Sequence, residues 1–137
     1  MHSLEGGQLN MKKEVITADK LPKSTLPYSH CIKAGNLLFI AGQVGIDPTN
    51  NKLEGNSIKE QTEQALRNIA TVLKAAGSSM ENVVKTTVFI SDFKDFEEMN
   101  KIYAKFFPTN QPARSTVQVA LYDGFKVEIE AIAIIPS

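Results

Sequence analysis

Two stretches of this chain carry an apolar stripe on one side only, and that limits its possible folds more than any other feature. In the first, Ile58, Ala65, Leu66, Ile69, Val72, Leu73 and Ala76 recur at helical spacing. Ser57-Ile58-Lys59-Glu60 reads as a capping box at its start, and Gly77 suits its end. In the second, Phe96, Met99, Ile102, Tyr103, Phe106 and Phe107 follow an Asp95-Phe96-Glu97-Glu98 start signal and run to Pro108. Helical spacing explains all of these aromatics as core. A helix with one apolar stripe buries it against a single layer. Both helices are therefore expected to lie on a sheet.

The sheet is read from the runs around them. Glu14 to Ala18 predicts a short strand, and Leu21 to Leu26 a loop. Tyr28 to Ala34 and Leu37 to Ala41 flank Gly35-Asn36, a two-residue hairpin signal. Gly42 and Gly45 break that pattern before the loop Asp47-Pro48-Thr49-Asn50-Asn51. Val83 to Ile90 predicts a central strand, and Ser115 to Ala120 and Lys126 to Ile134 two more. The turn Tyr122-Asp123-Gly124-Phe125 between these last two predicts a type I′ hairpin. The expected fold class is α+β, a sheet with both helices on one face. No further segment is left to cover the other face. That face is therefore expected to be buried by copies of the chain, which makes the protein an oligomer.

The length, 137 residues, fits one domain over residues 11–137. Residues 1–10 read as a disordered leader or a remnant ahead of Met11, without the features of a signal or transit peptide. The cytoplasm is the expected compartment, with an organelle as the alternative. No run approaches the length of a membrane span. Fifteen basic side chains balance 15 acidic ones, and the lysines are interleaved with acids, which argues against a nucleic-acid partner. The single cysteine, Cys31, has no basic neighbours and reads as buried and inert. His2 and His30 share no ligand spacing with each other or with acids, so no metal is expected.

The chemistry concentrates near the C-terminus. Gln111-Pro112-Ala113-Arg114-Ser115-Thr116 sets one arginine at the mouth of a strand. Its guanidinium keeps its charge at any working pH and matches a carboxylate with a two-pronged fork. It needs an anion, either an acid of the fold or a bound small acid. Alternation puts Arg114, Thr116 and Gln118 on one face. In the last strand it puts Glu128, Glu130 and Ile132 on one face, opposite Val127, Ile129, Ala131 and Ala133. A tight Asp-Gly turn would leave Glu128 on the face away from Arg114 within one subunit. For the two to work together, either the turn carries a bulge or the pair meets across a subunit boundary.

Pro112-Ala113-Arg114-Ser115 followed by Val127-Glu128-Ile129-Glu130-Ala131 resembles the signature of the Rid/YjgF family, and specifically its RidA-type enamine/imine deaminases. Pro27-Tyr28-Ser29, Gly42-Gln43, Val84-Lys85-Thr86-Thr87-Val88-Phe89, and Asn100 with Tyr103 add marks in the same order, from about residue 14 to 135. The resemblance implies a chorismate-mutase-like fold and a homotrimer whose sheets form a central barrel, with clefts between subunits. It implies hydrolysis of 2-imino acids such as 2-iminobutanoate and 2-iminopropanoate, released by pyridoxal-phosphate enzymes, to 2-oxo acids and ammonia. It implies no metal or organic cofactor.

The resemblance also assigns roles. Arg114 clamps the substrate carboxylate and Glu128 orients or deprotonates water. Tyr28 and Asn100 belong to the pocket, and backbone N–H groups at Gly42 and Thr116 bind oxygens. Thr116 stands where many members have cysteine, Ala41 where many have serine, Leu26 in place of a glycine and His30 in place of a glutamine. The rival readings are a non-catalytic trimeric small-acid-binding or chaperone-like protein and, behind it, a ribonuclease or translation inhibitor.

Overall fold

The computed structural model describes residues 11–22 and 25–137. The expected leader, residues 1–10, lies outside the described residues. Strands β1 (Lys13–Ile16), β2 (Cys31–Ala34), β3 (Leu37–Val44), β6 (Val83–Ile90), β7 (Ala113–Gln118) and β8 (Val127–Ile134) form one six-stranded sheet. Two short strands, β4 (Ile46–Asp47) and β5 (Lys52–Leu53), pair separately. The helices are α1 (Ile58–Ala75) and α2 (Phe96–Phe106). The sheet order is β1-β2-β3-β8-β6-β7. Only β6 and β7 run parallel, joined by α2 as a crossover.

Both apolar stripes fall on the same side of the sheet, as expected. Leu38, Ile40, Val88, Ile90, Val127, Ile129, Ala131 and Ala133 are buried there with Leu66, Ile69, Leu73 and Met99 of the helices. Ser57 accepts from the Glu60 N–H at 3.0 Å and donates to its carboxylate at 2.9 Å, which closes the α1 cap. The hairpin at Gly35-Asn36 forms with Ala34 opposite Leu37, and Gly35 takes a positive φ of 63°.

The other face is open. Val15, Ile32, Phe39 and Ile132 stand side by side across four strands in register. Phe39 is 42% exposed and Val15 57%, so an apolar row meets solvent in the lone chain. The next row, Glu130 with Thr87 and Ser115, is polar.

Several local expectations are corrected. β7 and β8 do not form a hairpin, because β6 lies between them and pairs with both. The Asp123-Gly124 turn closes with Phe125 N–H on the Tyr122 carbonyl at 2.9 Å. Only Gly124 has positive φ, at 84°, which fits a type II rather than a type I′ turn. β7 begins two residues before Ser115, since its parallel pairing starts with Ala113 beside Lys85. β2 begins at Cys31, and the chain at Tyr28 is turned, its N–H on the Leu26 carbonyl at 2.8 Å. Gly42 does not end β3. Ala41 and Gly42 together oppose Glu130 as a bulge, and pairing resumes at Gln43. Asp95 makes no side-chain cap for α2. Asp92 instead caps the preceding 3-10 turn through the Lys94 N–H at 2.9 Å.

Candidate active site

Arg114 is placed by its register. It pairs with Thr86 of β6, which is fully buried on the helix side, so the guanidinium emerges beneath α2. Nη1 donates to Asn100 Oδ1 at 2.8 Å. The guanidinium carbon lies 4.8 Å from the Tyr103 ring centre and 5.7 Å from that of Phe96. Tyr103 is itself pinned, its hydroxyl 2.7 Å from that of Thr86. Burial pushes the Tyr103 hydroxyl pKa up, against the Thr86 bond and the Arg114 charge. The ring under the arginine is therefore a neutral phenol, which gives it the quadrupole a cation prefers.

Among the described residues, Arg67, Lys94 and Lys126 form salt bridges and Arg114 forms none. One neutral amide oxygen and two aromatic faces hold this charge in place. The rest of its fork remains free for a carboxylate. Two residues further on, Thr116 shares the Arg114 face, and its hydroxyl is buried without a partner.

Glu128 belongs to a different part of the protomer. It pairs with Phe89 on one side and Val44 on the other, facing the open side of the sheet. Its carboxyl lies directly over Gly42, where a Cβ would overlap it. Burial, then the neighbouring Glu130, holds the Glu128 pKa above the usual carboxylate range. Gly42 also lines a cleft of about 370 Å³ with Tyr28, His30, Val44 and Asn68. His30 Nε2 lies 2.9 Å from the Pro22 carbonyl, and its ring meets Tyr28 edge-on at 5.9 Å.

The six residues singled out in the sequence thus fall into two clusters. Arg114 and Thr116 lie beneath α2, and Asn100 projects from α2 onto Arg114. Tyr28 and Gly42 line the cleft, and Glu128 lies over Gly42 on the open face. Glu128 is two strands from Arg114, roughly 10 Å sideways at ordinary strand spacing, and on the opposite face. The Tyr103–Thr86 support and the Phe96 face were not read as site features, because helical spacing accounts for both aromatics as core. Cys31 is buried as expected, its thiol pushed up to about 11 by that burial. Among the described residues no cluster of three or more His, Cys, Asp or Glu is gathered as a metal would require. No described helix is long and apolar enough to cross a membrane.

A family profile described as Endoribonuclease L-PSP matches residues 18–135. The chain belongs to the Rid/YjgF family. This Rid/YjgF chain is 46% identical over 132 residues to "Reactive Intermediate Deaminase A, chloroplastic" of Arabidopsis thaliana, covering 96% of the chain and 71% of that relative. It is 43% identical over 123 residues to the human "2-iminobutanoate/2-iminopropanoate deaminase", covering 89% of the chain and 90% of the relative. Among solved structures, RidA from the Antarctic bacterium Psychrobacter sp. PAMC 21119 superposes with a TM-score of 0.84 at 40% identity, over 89% of this chain and 99% of that one.

Proposed function

We propose that this protein is a RidA-type deaminase that hydrolyses 2-imino acids to 2-oxo acids and ammonia, in clefts shared between copies of a trimer. The observation that carries this reading is a charged arginine held ready with no carboxylate partner among the described residues. Arg114 binds the substrate carboxylate through two charge-assisted hydrogen bonds, and the imine carbon is thereby fixed in place. A protonated imine is already electrophilic, so modest assistance is enough. Glu128 accepts a proton from the attacking water, which adds to the C=N carbon to give a carbinolamine. That proton returns to nitrogen; the C–N bond then breaks as the carbinolamine hydroxyl gives its own proton back to Glu128, which releases ammonia and leaves the 2-oxo acid. A raised carboxyl pKa makes Glu128 a better base than an exposed glutamate. Tyr28, Asn100 and the backbone at Gly42 and Thr116 complete the pocket.

The separation of the two clusters supports a site built from two protomers. The apolar open face supports closure by copies, since a row such as Val15, Ile32, Phe39 and Ile132 is costly to leave in water. Relatives named as imine deaminases support the reaction class.

The test is turnover. The protein is incubated with threonine and a pyridoxal-phosphate threonine dehydratase, and 2-oxobutanoate release is timed. Release faster than spontaneous hydrolysis of the imine is expected. Unchanged release would reduce the site to binding a small acid. The family description also names an endoribonuclease. The balance of 15 basic and 15 acidic groups argues against a polyanion substrate. RNA cleavage that survives Arg114→Ala in nuclease-free protein would revive that second reading.

A further inference from the structure

The buried amides of α1 stand where apolar side chains are expected. Gln61 and Asn68 lie on the stripe that packs on the sheet, 0% and 4% exposed. Burying an amide is unfavourable unless its hydrogen-bonding groups are matched. Here they are. Gln61 Nε2 donates to the Gly55 carbonyl at 3.2 Å and to the Gly124 carbonyl at 3.1 Å. Its Oε1 accepts from the Lys126 N–H at 2.8 Å. Asn68 Nδ2 donates to the Val44 carbonyl at 3.1 Å and the Ile46 carbonyl at 2.9 Å, while its Oδ1 accepts from Gln64 at 2.9 Å.

The backbone groups held this way converge on Glu128. Val44 is its register partner on β3, and Lys126, two residues before it, immediately precedes β8. Between the two carbonyls that Asn68 holds sits Gly45, where a Cβ would come within 2.7 Å of the Gln61 α-carbon. The chain therefore presses directly onto α1. The need for such a fastening follows from the bulge. Beyond Ala41 and Gly42, β3 keeps only two register pairs with β8, Gln43 with Ile129 and Val44 with Glu128. Two pairs at the end of a ladder fray easily.

We propose that Gln61 and Asn68 are positioning residues that lock the end of β3 and the start of β8 and so hold the Glu128 carboxyl over Gly42. This rests on the deaminase reading and deepens it, since it names what sets the geometry of the water-activating group. The clamp acts on Glu128 and leaves Arg114, on the opposite face beneath α2, untouched. It should therefore govern the chemical step and not the grip on the acid.

Two variants of the full chain test it. Gln61→Met keeps the side-chain length and removes all three bonds. Asn68→Asp keeps the shape and turns oxygens toward two carbonyls. Each is assayed for saturating turnover of imine generated in situ, for 2-oxobutanoate affinity by calorimetry, and for the Glu128 side-chain carboxyl carbon resonance without ligand. The expected result is a fall in kcat of about tenfold or more with affinity changed by less than about twofold, and a displaced Glu128 resonance. Unchanged kcat in folded protein would overturn the proposal, as would parallel losses of kcat and affinity. Failure of both variants to fold would also overturn it, because the amides would then serve the fold and not the site. If the wild-type protein itself shows no turnover, the deaminase reading fails. The Glu128 resonance then decides the clamp alone: displaced in the variants if it holds, unmoved if it does not.

Discussion

Replacing Arg114 with alanine removes the one cation of the site and little else. The side chain is half-buried, makes one hydrogen bond to Asn100, and rests against Tyr103 and Phe96. Those contacts contribute about 1–2 kcal/mol to stability, from one partly exposed charged bond and two cation–π contacts. That is too little to unfold an ordinary domain of this size. The loss to catalysis is larger. Truncating one partner of a desolvated, hydrogen-bonded charge pair costs about 2–5 kcal/mol. At a factor of ten for each 1.4 kcal/mol, that lowers kcat/KM by about 30-fold to several thousand-fold. The assay is the coupled release of 2-oxobutanoate, with circular dichroism and gel filtration as controls for fold and assembly. Arg114→Lys is expected to recover little, because a point charge cannot supply two parallel bonds. Near-normal turnover in Arg114→Ala would rule out a carboxylate clamp at this residue. So would a loss explained entirely by unfolding.

Glu128→Gln should lower turnover by about a hundred-fold or more, the scale of a lost general base, with 2-oxobutanoate affinity retained in calorimetry. Its stability effect has a definite sign. The Glu128 pKa is raised in the fold, so the stability it contributes is intact below the ordinary carboxyl range and is lost as pH rises through the folded value. Urea unfolding should therefore show Glu128→Gln equal to wild type in acid and slightly more stable at neutral pH. Tyr103→Phe leaves the Thr86 hydroxyl buried without its partner, which costs roughly 1–3 kcal/mol and should lower Tm by several degrees. The ring remains beneath Arg114, so affinity for the acid should hold. Gly42→Ala drives a Cβ into the Glu128 carboxyl. It should reduce turnover by about tenfold or more through a displaced base, measured against a nearly unchanged melting curve.

Most of the local architecture was legible in the sequence, and the reasons are local. The stripe behind Ser57 needs only helical periodicity, and Gly35-Asn36 needs only turn chemistry. The face shared by Arg114, Thr116 and Gln118 needs only strand alternation. The pairing of β7 was not legible. Asp123-Gly124 signals a hairpin, yet β6 lies between the flanking strands, and its parallel partnership with β7 is set by contacts far apart in the chain. The conclusion that Arg114 and Glu128 face opposite ways survived for a different reason, since both registers run through β6. The bulge at Ala41 and Gly42 looked like a strand end, because a glycine marks both. The burial of Gln61 and Asn68 was not legible, because an amide on a helix is ordinarily read as solvated. Their targets, Gly124, Lys126, Val44 and Ile46, lie in other segments that only the fold brings near.

In the proposed assembly, Arg114 of one protomer and Glu128 of another make one working site. Mixing two inactive proteins, Arg114→Ala and Glu128→Gln, in equal amounts and reassembling them tests it most directly. If assembly is random and trimeric, about a quarter of the sites receive an intact arginine from one protomer and an intact glutamate from its neighbour. Turnover should return to about a quarter of the wild-type rate, in particles of three times the 15.0 kDa protomer mass. Turnover that stays at the level of the separate mutants, in particles confirmed to be mixed, would contradict a site shared between copies.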